Sequence, residues 1–256
     1  MTSDIAVTHE GAVALIELQR GPHNHVDVEL MAAVADALEA LDQADEVRAV
    51  VLASAGRNFC AGADLQRRDG LSSGRAGGVG ALYAAAIRLF RTRKPLVAAV
   101  QGAAVGAGLG LALACDFRVA AAGAKLTANF VKLGFHPGFG LTATLPRAVG
   151  VQAAALLMLT GRRVGAEEAL RLGLIDAIAP NEAVRAAAFD LAREIAAAAP
   201  LAVEGTRASL RTGLADAVEA AMANELAVQT RLMATADFQE GVRAVAERRD
   251  GVFLRR

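Results

Sequence analysis

The chain of 256 residues has no tryptophan, one tyrosine and two cysteines, and its 27 lysines and arginines are balanced by 27 acidic residues. Each scarcity excludes something. Cys60 and Cys115 stand without CxxC spacing and without a histidine cluster, so they read as reduced thiols of a cytosolic protein rather than as a disulfide. No His/Cys/carboxylate group has the spacing of a metal site, so no metal is expected. A formal charge of zero, with no basic stripe and no block of like charge, argues against nucleic acid as a partner. The opening Met1-Thr2-Ser3-Asp4 lacks a basic region followed by an apolar core, so no export signal is read and the expected location is cytoplasmic.

Long apolar runs are also scarce, with one exception. Leu96 to Cys115 has Gln101 as its only strongly polar residue, and Gly102, Gly106 and Gly110 recur at GxxxG spacing. Lys94-Pro95 opens a short strand-like run that breaks at Gln101-Gly102, and a helical run follows. A buried strand and a buried helix account for the segment, and no membrane span is expected. Hydrophobic residues make up 54% and charged residues 21%, which suits a globular chain with a large core.

What is present is an alternation of short apolar runs. Ile5 to Val7 and Ala12 to Leu18 read as a hairpin turning at Gly11. Val28 to Leu41 is periodic, with Leu30, Val34, Leu38 and Leu41 on one helical face. Arg48 to Ala53 reads as a buried strand, and Gly70 to Gly80 as a mobile Gly/Ser-rich loop. Leu82 to Arg91 is helical, Leu96 to Val100 a strand, Ala107 to Ala114 a helix and Asp116 to Ala121 a strand. After Phe139 the pattern is almost wholly helical: Val151 to Thr160, Ala166 to Leu172, Ala183 to Ala198, Leu201 to Thr212, Val218 to Ala234 and Phe238 to Arg248. This is an α/β core, assigned to residues 1–198, followed by a helical section at 199–256. The late helices carry apolar residues on more than one face, which suggests a subunit interface.

Two motifs carry chemistry. Asn58-Phe-Cys-Ala-Gly-Ala-Asp64 and Gln101-Gly-Ala-Ala-Val-Gly-Ala-Gly108 are each a small-residue turn after a strand-like run. Only glycine and alanine let a substrate oxygen approach backbone N–H groups closely, so the pair suits an oxyanion hole. Ala107 opens a helix, where N–H groups lack partners and the dipole is positive. Gly106-Ala-Gly-Leu-Gly110 is not GxGxxG, which sets aside a nicotinamide enzyme.

With Arg48-Ala-Val-Val-Leu-Ala-Ser54, Lys94-Pro-Leu-Val-Ala-Ala-Val-Gln-Gly102, Leu145-Pro-Arg-Ala-Val-Gly150, Leu159-Thr-Gly161, Ala169-Leu-Arg-Leu-Gly-Leu174 and Glu240 to Arg249, these motifs run in order along nearly the whole chain. The chain resembles the crotonase, or enoyl-CoA hydratase/isomerase, superfamily. The resemblance implies an α/β fold with a spiral of ββα turns, a helical C-terminal trimerisation region, and a homotrimer or hexamer. It implies an acyl-CoA thioester as ligand, coenzyme A arriving with the substrate and no separate cofactor. The N–H groups of Ala63 and Ala107 would form the oxyanion hole. His25 and Val26 in the loop from His23, Ala61 to Leu65 (with Gly62 and Asp64), and Gly106 would lie along the ligand. Asp64 also reads as a structural residue bonding nearby backbone. Arg248 stands where a lysine often reaches the phosphates, and Val245 replaces an aromatic near the adenine.

The same resemblance exposes a gap. The positions at which family hydratases carry their two glutamates hold Gly110 and Phe130, and the later turn that supplies an acid in other branches reads His136-Pro137-Gly138-Phe139. Neither glycine nor phenylalanine moves a proton. His136 is the nearest titratable candidate, with a turn histidine facing solvent as its alternative. Tyr83 is a second candidate. Three functions stay open: an enoyl-CoA hydratase- or isomerase-like enzyme with an unusual acid/base, a decarboxylase needing only enolate stabilisation, and a non-catalytic acyl-CoA-binding protein.

Overall fold

The computed structural model describes residues 4–63 and 78–256. The chain opens with β1 (Ile5–Glu10) and β2 (Val13–Leu18), then α1 (Val28–Asp42), β3 (Ala49–Ser54), α2 (Gly78–Phe90) and β4 (Leu96–Val100). A short β5 (Ala103–Val105) leads into α3 (Ala107–Ala114), β6 (Phe117–Ala121) and β7 (Lys125–Thr127). A 3₁₀ turn at Asn129–Leu133 precedes α4 (Leu141–Val149), α5 (Val151–Thr160), β8 (Arg163–Gly165), α6 (Ala166–Arg171) and β9 (Ala177–Ala179). Four helices close the chain: α7 (Val184–Ala196), α8 (Pro200–Leu210), α9 (Leu214–Met233) and α10 (Ala236–Ala246).

The main sheet has the order β1-β2-β3-β4-β6-β9, parallel except for the β1–β2 hairpin. β3 and β4 are buried along their whole length, as expected of parallel strands covered on both faces, which explains their unbroken apolar runs. Helix α1 starts where Asp27 accepts a hydrogen bond from Leu30 N at 2.9 Å, and its face of Leu30, Val34, Leu38 and Leu41 is buried. A second sheet, β5-β7-β8, stands beside the first. The adjacent parallel strands β3 and β4 both end on one side of the main sheet, so the two small-residue turns after them become neighbours. Phe59 N donates to Gln101 O at 2.8 Å, and Cys60 pairs with Ala104 as an isolated bridge.

The stretch after Phe139 is not purely helical. β8 and β9 interrupt it, and β9 extends the main sheet. Three residues are too few to display a period, and β5 and β7 escape notice for the same reason. α4 is hidden in the sequence because Pro146 lies inside it and Gly150 closes it. Of the segment Gly70 to Gly80, residues 70–77 lie outside the described residues, whereas Gly78, Val79 and Gly80 form the first turn of α2. Cys60 and Cys115 are free and buried, and burial pushes both thiols up to about 12. Among the described residues, no helix is long and apolar enough to cross a membrane.

Candidate active site

A cavity of about 420 Å³ opens where the two turns meet, lined by Ala61, Gly62, Ala63, Gly106 and Ala107. Two peptide planes are pinned there. Gly62 O accepts from Val26 N at 3.0 Å and from His25 Nδ1 at 3.1 Å. In a trans peptide the N–H points opposite to the C=O, so Ala63 N–H is turned away from those donors. Gly106 O accepts from Leu109 N at 3.0 Å and Gly110 N at 3.1 Å, which aims Ala107 N–H off the start of α3. Among the described residues neither N–H donates to a backbone acceptor. Gly62, at φ +86°, allows the approach: a Cβ there would lie 2.7 Å from Val105 O and 3.8 Å from Ala107 N.

The remaining wall is mostly apolar. Phe130 and Phe135 stack at 6.4 Å between centroids, and Phe135 meets Phe238 of α10 at 4.9 Å. Leu82 of α2, Leu133, Phe139, Met233 of α9 and Val242 and Val245 of α10 also line it. Its polar groups come from His25, Tyr83, Asn129, Arg163 and Gln229. No carboxylate lines the cavity among the described residues, nor does any group of three metal-ligating side chains occur among them.

The Gly110 position is physically closed. A Cβ there would fall 2.6 Å from Phe139 Cδ1 and 2.8 Å from Phe139 Cβ, so the Phe139 ring, itself fully buried, covers that point of α3. Gly110 therefore does not line the cavity, and neither does Val26, whose contribution is its N–H to Gly62 O. Arg248 is exposed at the end of α10 and is not a lining residue, although Val245 of that helix is. Asp64 and Leu65 lie outside the described residues. His136 is half-buried and absent from the lining; its Nδ1 donates to Pro137 O at 2.7 Å. Tyr83 does line the cavity. Its hydroxyl donates to Gln229 Oε1 at 2.8 Å, while Gln229 Nε2 donates to His136 O at 2.9 Å. Burial, and then the nearby Glu225 carboxylate, raise the Tyr83 phenol above its ordinary value, so it stays protonated.

Sequence reasoning missed the part played by α9. Gln229 and Met233 reach the cavity, and Glu225, one turn earlier, accepts from Gly140 N at 2.8 Å, Thr142 N at 2.9 Å and Thr142 Oγ1 at 2.6 Å. A buried Glu and Gln spaced i, i+4 on an otherwise amphipathic helix is the signal that could have found them. Burial is the largest influence on Glu225 and raises its carboxyl above the ordinary 4.5. The folded chain then holds this proton more tightly than the unfolded chain. Its contribution is fully present below pH 4.5 and declines as pH rises through the folded value. Melting temperatures recorded from pH 4 upward should show this decline, and Glu225→Gln should flatten it while lowering stability overall. An identical slope in the variant would remove Glu225 as the cause.

Three comparisons bear on the site. A family model described as enoyl-CoA hydratase/isomerase matches residues 8–256. The chain is similar to the crotonyl-CoA hydratase of Syntrophomonas wolfei subsp. wolfei, 33% identical over 254 residues with 98% of each chain covered. It is also similar to the 2,3-dehydroadipyl-CoA hydratase of Escherichia coli (strain K12), 33% identical with 96% of this chain and 97% of the other covered. In structure it is similar to carnitinyl-CoA hydratase from Mycobacterium avium, with a TM-score of 0.88, 34% identity and full coverage of both chains.

Proposed function

The chain belongs to the enoyl-CoA hydratase/isomerase family of the crotonase superfamily, and from that premise we propose that its cavity binds an acyl-CoA thioester and stabilises the thioester enolate. The observation that supports the proposal is the pair of pinned peptides, Gly62–Ala63 and Gly106–Ala107, which border one largely apolar cavity and leave both alanine N–H groups without a backbone acceptor among the described residues. A thioester oxygen between them gains charge as the enolate forms, and preorganised donors in a dry site favour that charge. Each such donor is worth about 3 kcal/mol in comparable enzymes.

The proton chemistry departs from a two-carboxylate scheme. Phe130 and Phe139 occupy the space that the resemblance assigns to acids, so Tyr83 replaces His136 as the acid we place nearest the substrate. A neutral phenol can protonate an enolate carbon, but as a base it is poor, because its anion would be buried beside Glu225. This favours reactions in which the enolate arises by loss of a substrate group, such as decarboxylation. The absence of a lining carboxylate among the described residues equally favours a binding protein without turnover. Exposed Leu201 and Leu210 on α8 of the helical section, with Val151 and Leu159 on α5 of the core, each at least 69% accessible, support a homotrimer or hexamer.

The test uses thioesters labelled with ¹³C at the carbonyl, titrated into the purified protein. Saturable binding with a downshifted carbonyl stretching band is the expected result, and an unshifted band would sink the oxyanion reading. Turnover of malonyl-type but not 2-enoyl thioesters would select decarboxylation. A shifted band with no turnover of either would select the binding protein.

A further inference from the structure

Resting on that reading, we propose that the acyl group this cavity accepts carries an anionic end, a carboxylate beyond the thioester, received by Arg163. Among the described residues Arg163, itself exposed, is the only lysine or arginine that lines the cavity, and no acidic residue lines it. Apolar walls beside a positive charge with no acidic neighbour among the described residues favour a negative ligand.

The placement of Arg163 is determined by the second sheet. Val105, which leads directly into the oxyanion turn, is in register with Thr127 of β7, and Thr127 with Arg163 of β8. In-register side chains share a face, and Val105 and Arg163 both line the cavity. Two strand spacings set their Cα atoms about 10 Å apart. Most of that gap is within reach of an extended arginine and a short acyl chain anchored by its carbonyl. The coenzyme A diphosphate, by contrast, lies at the far end of the pantetheine arm.

The neighbours of Arg163 are already committed. Arg162 is ion-paired with Glu168, whereas no acidic group lies within ion-pair distance of Arg163 among the described residues. Thr127 Oγ1 donates to Gly161 O at 3.3 Å and Arg162 O at 3.1 Å, which anchors the entry to β8. Asn129 lines the cavity close to both ends of this row. A Cβ at Gly161 would sit 3.3 Å from Asn129 Cα, and one at Gly106 3.9 Å from Asn129 Oδ1. Its amide supplies a neutral donor between the hole and the charge, and a guanidinium matches a carboxylate in two parallel hydrogen bonds.

The experiment is a calorimetric titration of the full chain with glutaryl-CoA, valeryl-CoA and free coenzyme A, repeated on Arg163→Gln. Glutaryl-CoA should bind about tenfold more tightly than valeryl-CoA, the gain expected of one charge-assisted contact at a partly wet site. In Arg163→Gln that ratio should fall to about one, with affinity for free coenzyme A unchanged. Equal binding of the two thioesters by the parent, or a preference that survives in Arg163→Gln, overturns the anionic end and leaves the acyl-CoA reading standing. Equal weakening of all three ligands would reassign Arg163 to the diphosphate and also overturn it. Failure of the parent to bind any of them would overturn the acyl-CoA reading itself.

Discussion

Gly108→Ala is expected to abolish thioester binding and to destabilise the chain by about 3 kcal/mol or more, the upper range for overpacking a core. A Cβ at this position would meet Cys60 O at 2.1 Å and Cys60 C at 2.8 Å. Both are backbone atoms, so no rotamer change relieves the clash. Cys60 is itself held by the second sheet, its N–H donating to Ala103 O at 3.0 Å and its O accepting from Val105 N at 3.0 Å. The only relief is for α3 to move away from the segment 60–63. That motion would separate Ala63 N–H from Ala107 N–H and dismantle the proposed hole. Thermal unfolding together with the shifted ¹³C carbonyl band reads both effects. A variant with the parent's melting temperature and a shifted band would show that the two turns do not pack as described.

The second large effect concerns Gly110. Gly110→Glu alone should lose about 3 kcal/mol, because the side chain collides with Phe139 and a carboxylate enters a dry site. Phe139→Gly alone should also lose about 3 kcal/mol, for the removed buried ring. The two changes should be far from additive. Phe139 sits at φ +63°, a region glycine adopts freely, and its removal vacates the space that a side chain at 110 needs. A double-mutant cycle on chemical denaturation should therefore give a favourable coupling of about 2 kcal/mol. Adding Phe130→Glu would install both carboxylates that the resemblance assigns, and crotonyl-CoA hydration should then exceed the parent's. Strict additivity at 110 and 139 would mean that Phe139 does not stand in place of that side chain.

Much of the fold was legible because its elements are long and periodic or continuously apolar. The α1 face of Leu30, Val34, Leu38 and Leu41, the buried run of β4 and the bounds of α3 all follow from spacing. The two small-residue turns were legible as well, since glycine is required where backbone comes as close to backbone as it does at Gly62 and Gly108. The hydrogen-bond partners of the candidate proton donors were not. His136 is prominent as a titratable residue in a turn, yet sequence cannot reveal that its Nδ1 is spent on the next carbonyl. Gln229 lies 146 residues from the Tyr83 hydroxyl it accepts from, and no local pattern joins them.

The sequence by itself determined that two apolar strand-like runs are each followed by a small-residue turn, and that glycine and phenylalanine stand where the resemblance places two carboxylates. Both are local properties, set by residue size and by the period of burial. Only the tertiary structure decided that Phe139 fills the space at Gly110, that α9 and α10 fold back to wall the cavity, and that β8 carries Arg163 into the row of Val105 and Thr127. These contacts join segments far apart in the chain. They depend on how layers pack and registers align, which no single stretch of residues encodes.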